Sequence, residues 1–460
     1  MRMNRRDFLK GFGVGVSVLA AQQILPADER SQKKPNVILC MTDDQGWGDT
    51  GYNGHPVLKT PNLDQMAKEG IRFDRFYSGA PVCSPTRGSC LTGRHPYRYG
   101  IFFANVGHMK QEEVTLAEVL RAQGYATGHF GKWHLGTLTK NVKDGRRGGR
   151  QNQHYSPPWE NGFDICFSTE QAVPTWDPMK DQPIATRYWT AEGQFATENL
   201  EGDDSRVVMD RAIPFIREAV RKGKPFLAVV WFHSPHEEVR GGGKYLEMYK
   251  DQPEKKQHYY ACLTAMDEQV GRLRNELRAA GIENNTMLWF CSDNGPEHET
   301  GPGSAGPFRG RKRSLYEGGV RVPGLLIWPE KVRMQRAVRM PCSTSDYFPT
   351  VLDVLGYRLP EAESRPYDGI SLLPLLEDKM AERPRPLAFE SANQVSLTDN
   401  RYKIYSSDGG KTYELYDLLE DPSERADLSS RKPDVVEPMG KTLAVWRSSC
   451  KSSLDSQDYR

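Results

Sequence analysis

The sequence predicts an α/β fold: a large mixed, mostly parallel sheet sandwiched by helices, with a smaller C-terminal α+β domain carrying a short antiparallel sheet. Three observations predict it. Short, nearly continuous apolar runs, suited to strands buried on both faces, alternate with helical patterns as far as about residue 340. Several runs end in polar clusters, where open α/β sheets place their active sites. From about Arg385 onward the texture changes to short alternating strands.

The elements follow in order. Asn36-Val37-Ile38-Leu39-Cys40-Met41 is the first buried strand and runs into Thr42-Asp43-Asp44. Residues 60–67 open a helix, with Leu63, Met66 and Ala67 at helical spacing. Residues 71–77 alternate like a single strand leading towards Cys83. Residues 116–120 form an amphipathic helix closed by Gly124, and residues 126–132 follow as a strand. Residues 225–232 are another buried strand, ending at Ser234-Pro235-His236. A long helix over roughly 259–280 precedes the strand 286–291 and then Ser292-Asp293-Asn294-Gly295. Residues 345–355 read as one more helix and 369–376 as a surface segment. Three short strands follow, at 387–390, 402–405 and 412–416, with Ser407-Asp408-Gly409-Gly410 as a hairpin turn between the last two. A helix around 434–447 closes the chain. The expected division is a leader at 1–33, a catalytic domain at 34–384 and a C-terminal α+β subdomain at 385–460.

Composition narrows the class. A chain of 460 residues exceeds the ~250–300 at which single cores stop growing, so it has room for a large core and a smaller one. Its 27 % charged and 37 % apolar residues are ordinary for a soluble globular enzyme. With 62 basic against 60 acidic residues, the net charge of +2 gives no support to nucleic-acid binding as the global role. The eight cysteines include no C-x-x-C pair, and Cys40 and Cys291 close apolar runs as buried strand thiols.

The N-terminus reads as a targeting segment. Asn4-Arg5-Arg6-Asp7-Phe8-Leu9-Lys10 resembles the bacterial twin-arginine export signal. The apolar stretch at 11–21 is shorter than the ~20 residues that span a bilayer, and small residues between Ala20 and Ala27 offer cleavage sites. No cysteine ends the stretch, so no lipid anchor is expected. The mature protein is expected to begin near 27–35 and to work in the periplasm or outside the cell, after passage through the twin-arginine translocation machinery.

The chemistry is concentrated in a run near residue 83. Cys83-Ser84-Pro85-Thr86-Arg87-Gly88-Ser89-Cys90-Leu91-Thr92-Gly93-Arg94 resembles the signature of the formylglycine-dependent sulfatases, C-[ST]-P-S-R-x-x-x-L-T-G-R. Taken alone, Cys83 reads as a buried or free loop cysteine. The resemblance implies instead that a maturation enzyme oxidises it to formylglycine, whose hydrated form is the nucleophile. A thiol that attacked sulfur would end in a stable adduct, whereas a hydrated aldehyde has one hydroxyl to attack and a second to expel sulfate. The resemblance also implies that Pro85 and Arg87 are read during maturation and that Arg87 later holds the hydrate. Thr86 stands where the family most often has Ser, and both carry a hydroxyl.

Other segments supply ligands and charges. Asp43-Asp44 and Asp293-Asn294 are oxygen-donor pairs at strand ends, suited to calcium or magnesium and not to zinc. Each pair by itself is equally a cap or a turn. The resemblance implies that these four, beside Cys83, hold one calcium rather than magnesium. Gly131-Lys132-Trp133-His134-Leu135-Gly136 matches a family run, implying that Lys132 binds a sulfate oxygen and His134 bonds to the hydrate. Alternation along the strand would set residues 132 and 134 on one side. Ser234-Pro235-His236 is similar to the segment of a second histidine, which binds substrate and protonates the leaving alcohol. The sequel Glu237-Glu238 departs from the family pattern. Arg309-Gly310-Arg311-Lys312-Arg313-Ser314-Leu315-Tyr316-Glu317-Gly318-Gly319 resembles G-x-K-x-x-x-x-E-G-G, which makes Lys312 the sulfate-binding lysine. Asp293, or alternatively Asp44, is the expected base.

The resemblance covers residues 34–450 and is closest to the branch of arylsulfatase A and the N-acetylgalactosamine-6-sulfatases. It implies an alkaline-phosphatase-like fold and hydrolysis of a sulfate ester. The alternatives are a phosphate or phosphonate ester hydrolase and a catalytically silent carbohydrate-binding relative. For the substrate, Lys140, Lys143, Arg146, Arg147 and Arg150 face a single acid, Asp144, just after the Lys132 segment. Arg309, Arg311 and Arg313 flank Lys312, and a positive rim focuses anionic ligands. Trp159, Trp176, Tyr188 and Trp189 would offer stacking surfaces to sugar rings. A sulfated saccharide from a polyanionic polymer is therefore expected over an aryl sulfate; the 140–150 loop alone reads equally as solvated and without a substrate role.

Overall fold

Ten strands form one sheet, in the order Arg336–Val338, Ile71–Phe73, Gly324–Ile327, Thr286–Ser292, Asn36–Thr42, Phe226–Trp231, Ala126–Lys132, Ile165–Thr169, Trp189–Ala191 and Gln194–Phe195. The computed structural model describes residues 34–145, 153–297, 301–332 and 334–459. The expected leader and Arg146, Arg147 and Arg150 lie outside the described residues. From Thr286–Ser292 to Ile165–Thr169 the strands are parallel. Antiparallel pairs are added towards both edges.

Every residue of Asn36–Thr42, Phe226–Trp231 and Thr286–Ser292 is buried, as parallel strands between helical layers must be. Alternation sends Val37, Leu39 and Met41 to one core and Ile38 and Cys40 to the core on the other face. The first core takes in the helices Cys83–Thr92, Leu116–Ala122 and Tyr347–Val354; the second takes in Pro61–Glu69, Asp204–Arg221 and Glu254–Ala279. All eight cysteines are free and buried.

Several local expectations give way to tertiary packing. Residues 71–77 make two strands instead of one: Ile71–Phe73 joins the large sheet, while Phe76–Tyr77 pairs with Arg321–Val322 and Cys342–Ser343 in a separate three-stranded sheet. The break falls at Asp74 and Arg75, whose guanidinium turns to the carbonyls of Asp399 and Asn400. Segment 369–376 is not on the surface. Leu372 is fully buried, with Ile370, Leu375 and Leu376 beside it in the first core. The helix begun at 345 starts as a short 3-10 turn, Thr344–Asp346, and the last helix runs longer, Pro433–Leu454.

The C-terminal sheet has four antiparallel strands in sequence order: Leu387–Ser391, Gln394–Thr398, Tyr402–Ser406 and Glu414–Asp417. Gln394–Thr398 escaped the sequence reading because only Val395 and Leu397 carry its apolar pattern. This sheet is pinned to the site-forming region by charge. Lys403, with its side chain fully buried, lies 3.0 Å from Glu317 Oε1 and 2.8 Å from Glu424 Oε1. Tyr77 OH donates to Glu317 Oε2 at 2.8 Å. Close backbone approach explains the glycines after Glu317. A Cβ on Gly318 would stand 2.1 Å from the carbonyl of Gly310, and one on Gly295 would stand 1.9 Å from that of Gly318. The Lys312 loop is thereby pressed against the end of strand Thr286–Ser292.

Removing one partner of a buried ion cluster typically costs ~3–5 kcal/mol. Lys403→Met, which leaves Glu317 and Glu424 buried together, is expected to cost that much, read as a lower urea midpoint. A midpoint unchanged from the wild type would show that the lysine does not hold the sheet in place.

Candidate active site

Register builds the site. Thr42 pairs directly with Ser292, so Asp43-Asp44 and Asp293-Asn294 leave the sheet side by side. Met41 and Gly131 both pair with Trp231, which brings Lys132 and the segment after Phe232 to the same edge. The Asp293 N–H donates to Thr42 O at 3.1 Å, and the Asp43 N–H donates to Ser234 O at 3.0 Å.

The helix Cys83–Thr92 brings its N-terminus to this edge. Pro85 lies in its first turn, where a missing N–H costs nothing, and Gly93 closes it in the left-handed region at φ +68°. All ten of its residues are buried. Cys83 and Arg87, one turn apart, share a face. The Arg87 guanidinium donates to Asp293 Oδ2 at 2.7 Å and to Lys132 O at 3.0 Å. It lies 3.5 Å from Asp43 and 5.3 Å from the Trp231 ring centroid. The Thr86 hydroxyl accepts from the Ala80 N–H at 3.1 Å and donates to the Ala80 carbonyl at 3.0 Å. Any β-hydroxyl can make these bonds, so Thr serves where Ser is usual.

Around Cys83 the charges interlock. Lys132 Nζ is 2.6 Å from Asp43 Oδ2, and Lys312 Nζ is 2.6 Å from Asp44 Oδ2. Asn294 Nδ2 donates to Asp44 Oδ1 at 2.7 Å, and the Asp44 N–H donates to Asp293 Oδ1 at 3.0 Å. One donor atom each from Asp43, Cys83 and Asp293 lies within 4.8 Å of the others, as does one each from Asp43, Asp44 and His236. Against the cost of burial, Lys132 holds Asp43 well below the ordinary carboxylate value. Burial, then the charge of Asp43, pushes Asp293 up. Burial also pushes the Cys83 thiol up, against Lys132 and Lys312, which leaves it protonated and a poor nucleophile as it stands.

Two buried oxygens of this cluster, Asp43 Oδ1 and Asn294 Oδ1, have no hydrogen-bond partner. Unpaired buried oxygens are rare and costly. With the Asp44 and Asp293 carboxylates they make an oxygen donor set that fits a hard divalent cation. The four expected ligand residues thus converge beside Cys83.

The histidines differ from expectation in detail. His134 lies beyond the end of strand Ala126–Lys132, with φ +57°, so strand alternation does not set it beside Lys132. It reaches the Cys83 end through Asn105: His134 Nε2 and Asn105 Oδ1 are 2.7 Å apart, and the Asn105 N–H donates to Ser84 Oγ at 3.3 Å. His236, its side chain 12 % exposed, holds Nε2 3.8 Å from Asp44 Oδ2. Its Nδ1 donates to the Glu237 carbonyl at 2.6 Å. Burial, helped by Lys132 and Lys312, lowers it to about 4 against the pull of Asp43 and Asp44. Neutral, it presents a lone pair at Nε2, so it must first gain a proton there to act as an acid.

Asn105 and Glu297 were not singled out from the sequence. Glu297 lies three residues past Asn294 and its Oε2 is 2.7 Å from Lys312 Nζ; nothing local marks Asn105. The expected rim can be followed only at its described residues, since Arg146, Arg147 and Arg150 lie outside them. Lys140 and Lys143 are exposed, but Asp144 is buried, and burial with Glu170 beside it pushes it up to about 7. Arg309 turns away, its guanidinium carbon 3.8 Å from the Tyr316 ring centroid and its Nη1 donating to Tyr416 OH at 2.9 Å. Tyr188 and Trp189 are not sugar platforms: both are buried, Tyr188 stacked on Phe167 at 4.3 Å. Trp159 and Trp176 pack half-buried against the cores.

Known proteins share this arrangement of elements. A family model described as "Sulfatase" matches residues 35–357, and one described as "N-sulphoglucosamine sulphohydrolase, C-terminal" matches 306–447. Arylsulfatase G of Rattus norvegicus is 31 % identical over 480 residues, covering 91 % of this chain and 87 % of that protein. N-acetylgalactosamine-6-sulfatase of Mus musculus is 28 % identical over 494 residues, covering 96 % and 90 %. The crystal structure of Ps i-CgsB in complex with k-i-k-neocarrahexaose superposes with a TM-score of 0.78 at 24 % identity, covering 93 % of this chain and 94 % of that one.

Each buried polar group left without a partner costs ~1–3 kcal/mol. Thr86→Ser is therefore expected to leave the denaturation midpoint near that of the wild type. Thr86→Val strands the Ala80 N–H, while the Ala80 carbonyl keeps the Ser78 hydroxyl at 2.8 Å, and is expected to lower stability by the cost of that one group on chemical denaturation.

Proposed function

We propose, from the premise that the chain belongs to the sulfatase family and is a sulfuric ester hydrolase, that it desulfates a saccharide through a formylglycine formed at Cys83. The observation that carries this reading is the convergence of Cys83, Asp43 and Asp293 within 4.8 Å, ringed by Arg87, Lys132 and Lys312. The buried, protonated thiol is a poor nucleophile as it stands. The hydrate of the aldehyde has two hydroxyls on one carbon: one attacks sulfur in line with the leaving alcohol, and the other, losing its proton to His134, expels sulfate as the aldehyde re-forms. Asp293, or alternatively Asp44, takes the first proton. His236, once protonated, gives one to the leaving oxygen.

Asp43, Asp44, Asp293 and Asn294, beside residue 83, would hold a calcium ion, which supplies Lewis-acid polarisation to the sulfuryl group. Lys132, Lys312 and Arg87 are fixed donors for the charge that grows on the non-bridging oxygens, a contribution that needs no reorganisation during reaction. Arg87 also holds Asp293 in place.

A saccharide substrate is supported by the sugar-sulfate relatives, whose printed names include N-acetylgalactosamine-6-sulfatase. Export through the twin-arginine machinery to the periplasm rests on Arg5-Arg6 and the apolar stretch behind them. Among the described residues no helix is long and apolar enough to cross a membrane.

Twin-arginine substrates fold before transport, so a maturation enzyme must act on Cys83 in the cytoplasm. Replacing Arg5 and Arg6 by Lys is expected to trap active protein inside the cell, with formylglycine at position 83 by peptide mass spectrometry. Recovery of unmodified Cys83 from an active trapped pool would contradict the nucleophile assignment, and recovery of it from an inactive pool would contradict the proposed order of events.

A further inference from the structure

Arg313 has a backbone that an arginine rarely adopts. Its φ is +76°, in the left-handed region where a Cβ crowds the following carbonyl. Such conformations persist only where the surroundings over-determine them, and here they do. The Arg313 N–H donates to Pro81 O at 2.8 Å, just before Cys83. Gln394 Nε2 donates to the Arg313 carbonyl at 2.8 Å from the C-terminal sheet. The residue is thus clamped between the nucleophile segment and that sheet, next in sequence to Lys312.

Its side chain is placed unlike those of its neighbours. Arg309 bonds Tyr416, and Arg311 donates to the carbonyls of Glu297 and Gly303. Lys312 is nearly buried on Asp44. The Arg313 side chain is 49 % exposed, and its guanidinium pairs with the carboxylate of Glu297. That carboxylate also takes Lys312 Nζ at 2.7 Å, so a single Glu separates the sulfate-binding lysine from a solvent-facing guanidinium. Through Glu297 and then Lys312, whose Nζ is 2.6 Å from Asp44 Oδ2, a continuous chain of ion pairs joins Arg313 to the buried carboxylates of the site. An ion pair this exposed is weakly held.

We propose that Arg313 is a specificity residue that binds a second oxyanion of the substrate, a sulfate or carboxylate on the sugar unit next to the scissile sulfate. Glu297 is its intramolecular counter-ion in the absence of substrate. The inference rests on the saccharide reading above and narrows it to a saccharide with at least two anionic groups. A guanidinium matches the fork of a sulfate or carboxylate, and the incoming anion replaces Glu297 on Arg313 while Glu297 keeps Lys312.

The test compares kcat/KM on three disaccharides: one with only the scissile sulfate, one with a second sulfate, and one with a carboxylate on the adjoining ring. The wild type is expected to prefer one or both doubly anionic substrates, and which of the two shows the source of the anion. Arg313→Gly removes the guanidinium and takes φ +76° without strain, so its melting temperature should stay near that of the wild type. Its preference ratio should fall by about 10-fold to 100-fold. Glu297→Gln, which removes the competing carboxylate, should move the ratio upward. A purely structural role would not move the two variants in opposite directions. If the wild type turns over all three substrates and both variants leave the ratio unchanged, the inference fails and the saccharide reading stands. If the wild type cleaves an aryl sulfate but none of the disaccharides, both fail.

Discussion

Three carboxylates buried side by side set the terms for the rest of the molecule. Asp43, Asp44 and Asp293 are fully or almost fully buried, and an unpaired buried ion costs several kcal/mol even after relaxation. The chain therefore brings Arg87, Lys132 and Lys312 to them from three separate elements. With Asp293 ionised, as a bound cation would favour against the upward push of burial and Asp43, three negative side chains face three positive ones. A divalent cation bound among these oxygens would leave the pocket with excess positive charge, which an anionic sulfuryl group would offset. In this account cation and substrate favour each other's binding through that balance.

The carboxylates are close together because of the sheet. Parallel strands with Thr42 opposite Ser292 end level, so two oxygen-donor pairs 250 residues apart in sequence, as with the Asp44–Asn294 bond, emerge as neighbours. The helix Cys83–Thr92 delivers Cys83 and Arg87 from one face, and glycines 295, 318 and 319 let the Lys312 loop approach closely enough to reach Asp44. Precision lies in this rigid floor. The rim is built from loops: Arg313 owes its position to a carbonyl from the nucleophile segment and an amide from the small C-terminal sheet.

Much of this was legible in the sequence, where local pattern and position coincide. Asp43, Asp44, Asp293 and Asn294 each follow an apolar run, so their place at strand ends could be read directly, and the run at Cys83 marked both the thiol and Arg87. Contacts made by distant loops could not be read. Asn105 meets His134 only because two irregular segments cross, and both residues lie at positive φ. Tyr188 and Trp189 look like exposed aromatics in a loop-rich stretch, yet they are core, because Phe167, Asp204 and His233 close around Tyr188. Burial of Leu372 and the break at Asp74 likewise depend on what packs against them, which periodicity does not record.

Anomalous scattering would reveal whether the buried carboxylates form one cation site beside residue 83. Crystals grown with calcium and measured near its absorption edge should give a single peak among Asp43, Asp44, Asp293 and Asn294, with oxygen ligands at ~2.3–2.6 Å. No peak there, or a peak held by other residues, would contradict the account.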